Sequence, residues 1–387
     1  MKFDFNQMPD SDTEVIRHHS RSFSLAAKLL PASIRTDVEK LYAWCRWCDD
    51  AVDDAPSREE AKSRILLLRA DVQRIADGQL PVHAASKWLA ALSVEYQIPS
   101  KLPLDLLTGM ETDLDNPVFE TVDELLVYCY QAAGTVGLMM CRVMGVEEES
   151  ALEKAEALGI AMQLTNIARD VSEDWQNGRR YIPKQWLALV PKKDSTPSNE
   201  QVRLAVGKLL DLADHYYAKG YQGLPQLPNG SRLAIRLAGL VYQEIGNEIR
   251  RQDCRVIGNR IFVPLSLKLK LVAKCMFAEA SFRFGVATKS TFPSLQNTTP
   301  FHSVINQRKF NMNDENRYLG YLGISLTFVM ATTLFLLMGL NPEGTAYQGL
   351  PWIYAAVCAL IAAGTGIMAR RISSHLKPEP APVEIRK

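Results

Sequence analysis

The sequence predicts an all-α protein that ends in a pair of transmembrane helices. Three observations carry this reading. Apolar residues recur at three- and four-residue spacing through 33–284 with few strand-like alternations; the prolines at 31, 56, 81, 99, 117, 197, 228 and 264 fall between those runs; and two uncharged apolar stretches follow near the C-terminus. Helix starts agree with the periodicity. Ser57-x-x-Glu60, Thr121-x-x-Glu124 and Ser198-x-x-Gln201 each have capping-box form, and Asn229 is placed to cap the run that follows it. The segments in order are a main domain over 1–284, a polar linker over 285–316, a transmembrane helical hairpin over 317–371 and a disordered tail over 372–387.

Within the hairpin, 318–340 contains no charged residue and is long enough to span a bilayer, and 350–369 is uncharged and just long enough. The turn between them carries only Glu343, whereas Arg308, Lys309 and Arg317 precede the pair and Arg370, Arg371 and Lys377 follow it. The positive-inside rule then keeps both flanks, and the main domain with them, on the cytoplasmic side. Membrane lipid is the partner expected for this segment. The N-terminus has acidic residues where a secretory signal would need a basic start and an apolar run.

Composition excludes some classes of function. With 44 Lys+Arg against 43 Asp+Glu in 387 residues, no basic excess argues for nucleic acid. The seven cysteines are scattered through apolar stretches, which fits reduced thiols better than a disulfide framework. Cys45 and Cys48 form a CxxC, but no second such pair or nearby His pair completes a zinc site.

Two aspartate clusters carry the chemistry. In LYAWCRWCDDAVDDAP, helical winding puts Tyr42, Arg46, Asp49 and Asp53 on one stripe, with Asp50 and Asp54 on the next. Carboxylates one turn apart repel by a few tenths of a kcal/mol, so this helix needs a cation beside it. In MQLTNIARDVSEDWQNGRRYIP, Gln163, Asn166, Asp170 and Asp174 form a second stripe, with Arg169 and Glu173 alongside. Hard oxygen ligands at this spacing suit Mg²⁺ (or Mn²⁺), which takes one or two carboxylates and completes its shell with water and phosphate oxygens. The expected metal ligands are Asp49, Asp53, Asp170, Asp174 and Asn166; the expected substrate is a diphosphate, with Arg46 and Arg169 on its oxygens.

Between the clusters, CYQAAGTVGLMM supplies small and apolar residues. Gly134 and Gly137 each lower helix propensity by about 1 kcal/mol relative to Ala, as expected where a substrate chain or a second helix passes close to the backbone. Tyr42, Tyr128 and Phe23 offer ring faces to a cation.

With HSRSFS (19–24), YAWCRWCDDAVDD (42–54), YCYQAAGTVGLMM (128–140) and QLTNIARDVSEDWQNGRRYIP (163–183), the chain resembles the squalene/phytoene synthase family over about residues 14–284. The wording of both aspartate motifs looks more like bacterial phytoene synthases than squalene synthases. The resemblance implies a single-domain isoprenoid synthase fold, so that 1–284 is a prenyl diphosphate head-to-head synthase domain. It implies a prenyltransferase that joins two geranylgeranyl diphosphates to phytoene through prephytoene diphosphate, releasing two diphosphates, with no NADPH. Carried over by motif, Asp49, Asp53, Asp170 and Asp174 bind diphosphate through Mg²⁺, and Tyr42 and Arg46 stand near it. Ser20, Ser22 and Phe23 lie by the substrates, Gln163, Asn166 and Arg169 face them from the opposite helix, and Tyr128, Ala133, Val136 and Gly137 line the tail cavity. Arg260 matches a basic family position, while Cys254 stands where many relatives carry Tyr. Neighbouring carotenoid-pathway enzymes are partners the resemblance admits. The C-terminal hairpin departs from bacterial phytoene synthases and resembles the anchor of eukaryotic squalene synthases. That keeps two alternatives open: a squalene or dehydrosqualene synthase using farnesyl diphosphate, and a non-catalytic membrane assembly factor.

Overall fold

A computed structural model describes residues 5, 25–187, 198–256, 261 and 263–283. The chain divides into two compact units, Met1–Leu271 and Val272–Lys387. The described residues of the first are mostly helical: α1 (Ala32–Asp53), α2 (Arg58–Ala76), α3 (Ser86–Tyr96), α4 (Lys101–Leu114), α5 (Val122–Cys129), α6 (Thr135–Val143), α7 (Glu149–Gln176), α8 (Asn199–Tyr221) and α9 (Asn229–Arg251). In the second, the described residues are 272–283, the continuation of α10 (Leu265–Arg283). Among the described residues no helix is long and apolar enough to cross a membrane; the apolar stretches of 317–371 lie outside them.

Local chemistry sets the helix starts. The Ser57 and Thr121 side chains accept from the backbone N–H groups of Glu60 and Glu124, and Ser198 with Gln201 closes a reciprocal capping box. Asn229 does not occupy the cap position: Pro228 does, and Asn229 is the first residue of α9. A proline there fixes the extended entry of the chain, so the turn is set by its ring and the side-chain cap is absent.

The helix pairs sort into two groups of buried side chains. Trp44, Leu68, Leu89, Leu107 and Met139 centre the group built by α1–α4 and α6. Leu125, Leu164, Leu209, Tyr217 and Ile249 centre the group built by α5, α7, α8 and α9. Burying such side chains supplies about 1.5–3 kcal/mol each, which is ample to hold long helices around a void between the groups.

Between α5 and α6 the helix does not break but widens into one π turn, Tyr130–Gly134. Such turns insert a residue and re-aim the side chains around them. Here the widened backbone meets α7 at a crossing that excludes side chains. A Cβ on Gly159 would lie 2.4 Å from the Ala133 carbonyl oxygen, and one on Gly137 would lie 2.5 Å from that of Ala155. Helix packing is therefore what the glycine at 137 answers, with the cavity on its other side.

A parallel bridge between Val118 and Arg180 ties the α4–α5 connection to the segment after α7. The Arg180 and Lys184 N–H groups donate to the carbonyls of Pro117 (3.0 Å) and Phe119 (2.9 Å). This fixes the run Arg179–Tyr181 beside the C-terminal end of α7, where the second aspartate cluster lies.

Candidate active site: an acidic mouth on an apolar cavity

α1 and α7 bring their aspartates to one polar mouth. Asp53 of α1 and Asp170, Glu173 and Asp174 of α7 line it, together with Arg46, Asn177 and Arg179. Arg46 also lines a second, apolar cavity of about 340 Å³, whose wall begins with Tyr42 and Asp49 on α1 and Asn166 on α7. The two acidic stripes thus converge, and the mouth and the cavity share a residue.

Arginines supply the cations that the aspartate spacing demands. Arg46 Nη1 donates to Asp49 Oδ2 at 2.7 Å while its Nη2 pairs with Asp50. Arg179 Nη2 donates to Asp53 Oδ1 at 3.1 Å, bridging from the end of α7 back to α1. Arg169 grips Asp170 with two N–H groups, Nε to Oδ1 at 2.8 Å and Nη2 to Oδ2 at 2.5 Å. Bidentate pairs of this kind hold geometry as well as charge.

The arginines do not fully offset the crowding of carboxylates. Desolvation, with the neighbouring Asp53 next in size, pushes Asp49 up to about 7 against the help of Arg46. The Asp49 side chain keeps 43 % of its surface accessible, but that surface faces the cavity, so it gains less from water than the figure implies. Asp174 rises to about 7 by desolvation and by Asp170. Groups poised this way take up a cation readily, because a metal both removes the repulsion and replaces the lost water.

Asp113 of α4 stands behind the mouth. Tyr181 donates to its Oδ1 at 2.6 Å and Tyr128 to its Oδ2 at 3.1 Å. Burial raises this carboxyl to about 6, although the Tyr181 hydrogen bond and Arg179 work to lower it. The rings of Tyr128 and Tyr181 stack with centroids 5.0 Å apart. Tyr128, expected in the tail cavity, is thus a buried member of this stack and is not among the cavity's lining residues. Its hydroxyl needs the Asp113 acceptor, and that need sets its direction.

Of the other predicted residues, Ala133, Val136 and Gly137 line the cavity with Tyr42 and Asn166. Gln163 lines neither space; its Oε1 accepts from Asn166 Nδ2 at 3.4 Å. Arg169 likewise is held on Asp170 and lines neither. Ser20, Ser22, Phe23 and Arg260 lie outside the described residues. Cys254 adopts φ 54° just past α9 and is absent from the lining. Sequence reasoning had not singled out Asp113, Tyr181, Arg179 or the cavity-lining Tyr242 of α9. The GRRYIP run was the available signal for two of them.

The fit to a divalent cation rests on the donor set. The buried Asn166 Oδ1 has no hydrogen-bond partner in the structure, an acceptor left over where the two stripes meet. Among the described residues no group of three or more His, Cys, Asp or Glu side chains could hold a metal by itself. Carboxylates contributed one or two at a time, with water and phosphate completing the shell, match Mg²⁺ rather than a closed protein cage.

Comparison with known proteins decides the lineage. The Squalene/phytoene synthase family profile matches residues 16–268. The chain belongs to the squalene/phytoene synthase family. Among its relatives in that family, a 15-cis-phytoene synthase from Paracoccus sp. (strain N81106 / MBIC 01143) is 38% identical over 269 residues, covering 68% of this chain and 88% of the relative. A phytoene synthase from Pseudescherichia vulneris is 38% identical over 256 residues, covering 62% and 82%. A crystal structure of a dehydrosqualene synthase in complex with ligand superposes with a TM-score of 0.60 at 28% identity, covering 68% of this chain and 93% of that one.

Proposed function

We propose that the protein condenses two geranylgeranyl diphosphates head to head into phytoene, through prephytoene diphosphate, with release of two diphosphates. The observation that carries this is the junction at Arg46. A mouth lined by Asp53, Asp170 and Asp174 and an apolar cavity share Arg46 as a lining residue, which places a diphosphate site next to room for its hydrocarbon tail. The phytoene synthases at 38% identity favour geranylgeranyl over farnesyl diphosphate as substrate.

Asp49, Asp53, Asp170, Asp174 and the free Asn166 oxygen would hold Mg²⁺, or Mn²⁺. When bound, that ion supplies charge stabilisation to a departing diphosphate. The chain's own residues do the rest. Arg46 and Arg179 face the mouth and exchange their carboxylate partners for phosphate oxygens, which removes water from the leaving group. Tyr42 and Tyr242 line the cavity, where their rings would stabilise an allylic cation. The apolar wall of Val136, Met140 and Met162 keeps water from that cation, so it is captured by the double bond of the second substrate, and loss of a proton from the attacking carbon closes the ring of the cyclopropyl intermediate. A second ionisation and rearrangement, ended by loss of a proton, then yields phytoene without a reductant.

The apolar pair in 317–371 completes the proposal as a membrane anchor with the catalytic domain on the cytoplasmic side, which would release a water-insoluble product next to lipid. Truncation after Asn316 is expected to give a soluble, active domain; loss of folding would place the hairpin in the core.

The test of function is product extraction after incubation with geranylgeranyl or farnesyl diphosphate, with and without NADPH. Phytoene from the longer substrate, independent of NADPH, is the expected result. Squalene or dehydrosqualene from farnesyl diphosphate alone would move the assignment to that reaction. Failure to release diphosphate from either substrate would leave the assembly role.

A further inference from the structure

The wall of the apolar cavity contains one charged residue away from its entrance. Arg46 and Asp49 sit at its entrance, but Lys154 also lines it. Lys154 and Ala151, one turn apart, are the last residues of α7 to touch the cavity, and Asn166 at the entrance is the first. Twelve residues separate Lys154 from Asn166 on one helix, about 18 Å at 1.5 Å per residue. That distance is of the order of an extended geranylgeranyl chain.

An ammonium facing an apolar cavity is costly, and a lysine avoids the cost by laying its stem along the apolar surface and its head in water. Lys154 is placed to do this. Its side chain keeps 23 % exposure, and Nζ lies 3.9 Å from the carboxylate of Glu153, which is 60 % exposed. The base of the stem is closely packed: a Cβ on Gly223, which also lines the cavity, would lie 2.6 Å from the Lys154 Cβ. So the turn after α8 presses directly on it. Gln226 of the same turn donates to Ser150 Oγ at 2.7 Å, latching the turn to the start of α7. Lys154 lines the cavity together with Leu224 and Leu227, which places its stem between the end of the cavity and its own exposed head.

We propose that Lys154 is a specificity-determining residue: its alkyl stem forms the floor of the tail cavity and sets the longest prenyl chain the site accepts. This rests on the prenyl diphosphate reading above. The floor acts by volume, and the exposed ammonium lets the stem lie there without burying a charge. Removing the stem opens the end of the cavity toward the surface beside Glu153; replacing it by an uncharged side chain of similar length leaves the floor intact.

The test uses the full-length protein and its Lys154→Ala and Lys154→Met variants, with prenyl diphosphates of three, four and five isoprene units. Two readouts are taken: kcat/KM for diphosphate release, and equilibrium binding of each substrate in Mg²⁺ by tryptophan fluorescence. For Lys154→Ala, the preference for five units relative to four is expected to rise about 10-fold or more in both readouts, the discrimination that a pocket wall of this size gives. Lys154→Met is expected to keep the wild-type ratios, and equal thermal midpoints would show that all three proteins are folded. Unchanged ratios in Lys154→Ala, or equal shifts in both variants, would overturn the assignment. Wild-type protein that neither turns over nor binds any of the three substrates would instead overturn the prenyl diphosphate reading, and this inference with it.

Discussion

The acidic mouth and the apolar cavity share Arg46 but are built on opposite terms. The mouth crowds carboxylates from two helices and meets their repulsion with Arg46, Arg169 and Arg179; the cavity is walled by small and apolar side chains set by close backbone crossings such as Gly137 against Ala155. One region stores unfavourable charge that a cation and a diphosphate relieve. The other stores empty volume that a hydrocarbon fills. Substitutions in the two should therefore fail differently: mouth variants lose chemistry while gaining stability, and cavity variants lose tail binding while keeping metal affinity.

The largest effect is expected from Asp170→Asn or Asp49→Asn. On the proposed function each removes a charge that would hold the ion, and several kcal/mol of lost stabilisation is about 10³-fold or more in product formation. Circular dichroism should show an intact helical fold, and normal turnover in either variant would break the division of labour. Next comes Ala155→Phe, which fills the cavity beside the Gly137 crossing. It is expected to reduce kcat/KM for the prenyl substrate about 10–100-fold, with Mg²⁺-dependent binding of inorganic diphosphate unchanged by calorimetry.

A smaller effect sharpens the comparison from the mouth's side. Asp49 and Asp174 are raised to about 7 from a carboxylate's ordinary range, so the folded protein binds their protons more tightly than the unfolded chain. Their contribution favours folding at low pH and is lost as pH rises from the unfolded carboxylate value, about 4, through 7. The metal-free protein should accordingly melt at a lower temperature at pH 8 than at pH 5.5, and Asp174→Asn should flatten that slope. In wild type, Mg²⁺ with diphosphate should restore the midpoint at pH 8. A gain of about 1 kcal/mol moves a domain of this size by roughly 2–4 °C, which differential scanning calorimetry resolves. The same titration predicts that Mg²⁺ affinity increases from pH 6 to pH 8.

Tyr181→Phe is the mildest case. It removes the 2.6 Å hydrogen bond to half-buried Asp113 but leaves the one from Tyr128. A loss of about 1–3 kcal/mol in stability is expected by urea denaturation, with a turnover change well below that of the aspartate variants.

The two regions also differ in how far the sequence discloses them. The mouth was largely legible because polar residues at helical spacing declare a stripe: Asp49 with Asp53 and Asp170 with Asp174 needed only the helical period to be placed. The caps at Ser57, Thr121 and Ser198 were legible for the same local reason. Asn229 was not, because the neighbouring Pro228 sets the turn by ring geometry and no side-chain acceptor is needed. The cavity depends on contacts between distant segments, and these leave weaker marks. The family resemblance places Tyr128 in the tail cavity, yet its hydroxyl is claimed by Asp113 on another helix. The π turn at Tyr130–Gly134 adds a residue that a 3.6-residue period does not register, and Lys154 reads as an ordinary surface lysine until the turn at Gly223 is seen pressing on its stem.

The claim on which the rest depends is that both helices contribute to one cation-dependent diphosphate site. Isothermal titration of inorganic diphosphate into the protein, with and without Mg²⁺, tests it in wild type, Asp49→Asn and Asp170→Asn. Binding that requires Mg²⁺ and is weakened at least about 10-fold by either substitution, one on each helix, is the predicted result. Mg²⁺-independent binding, or binding lost in only one of the two variants, would contradict it.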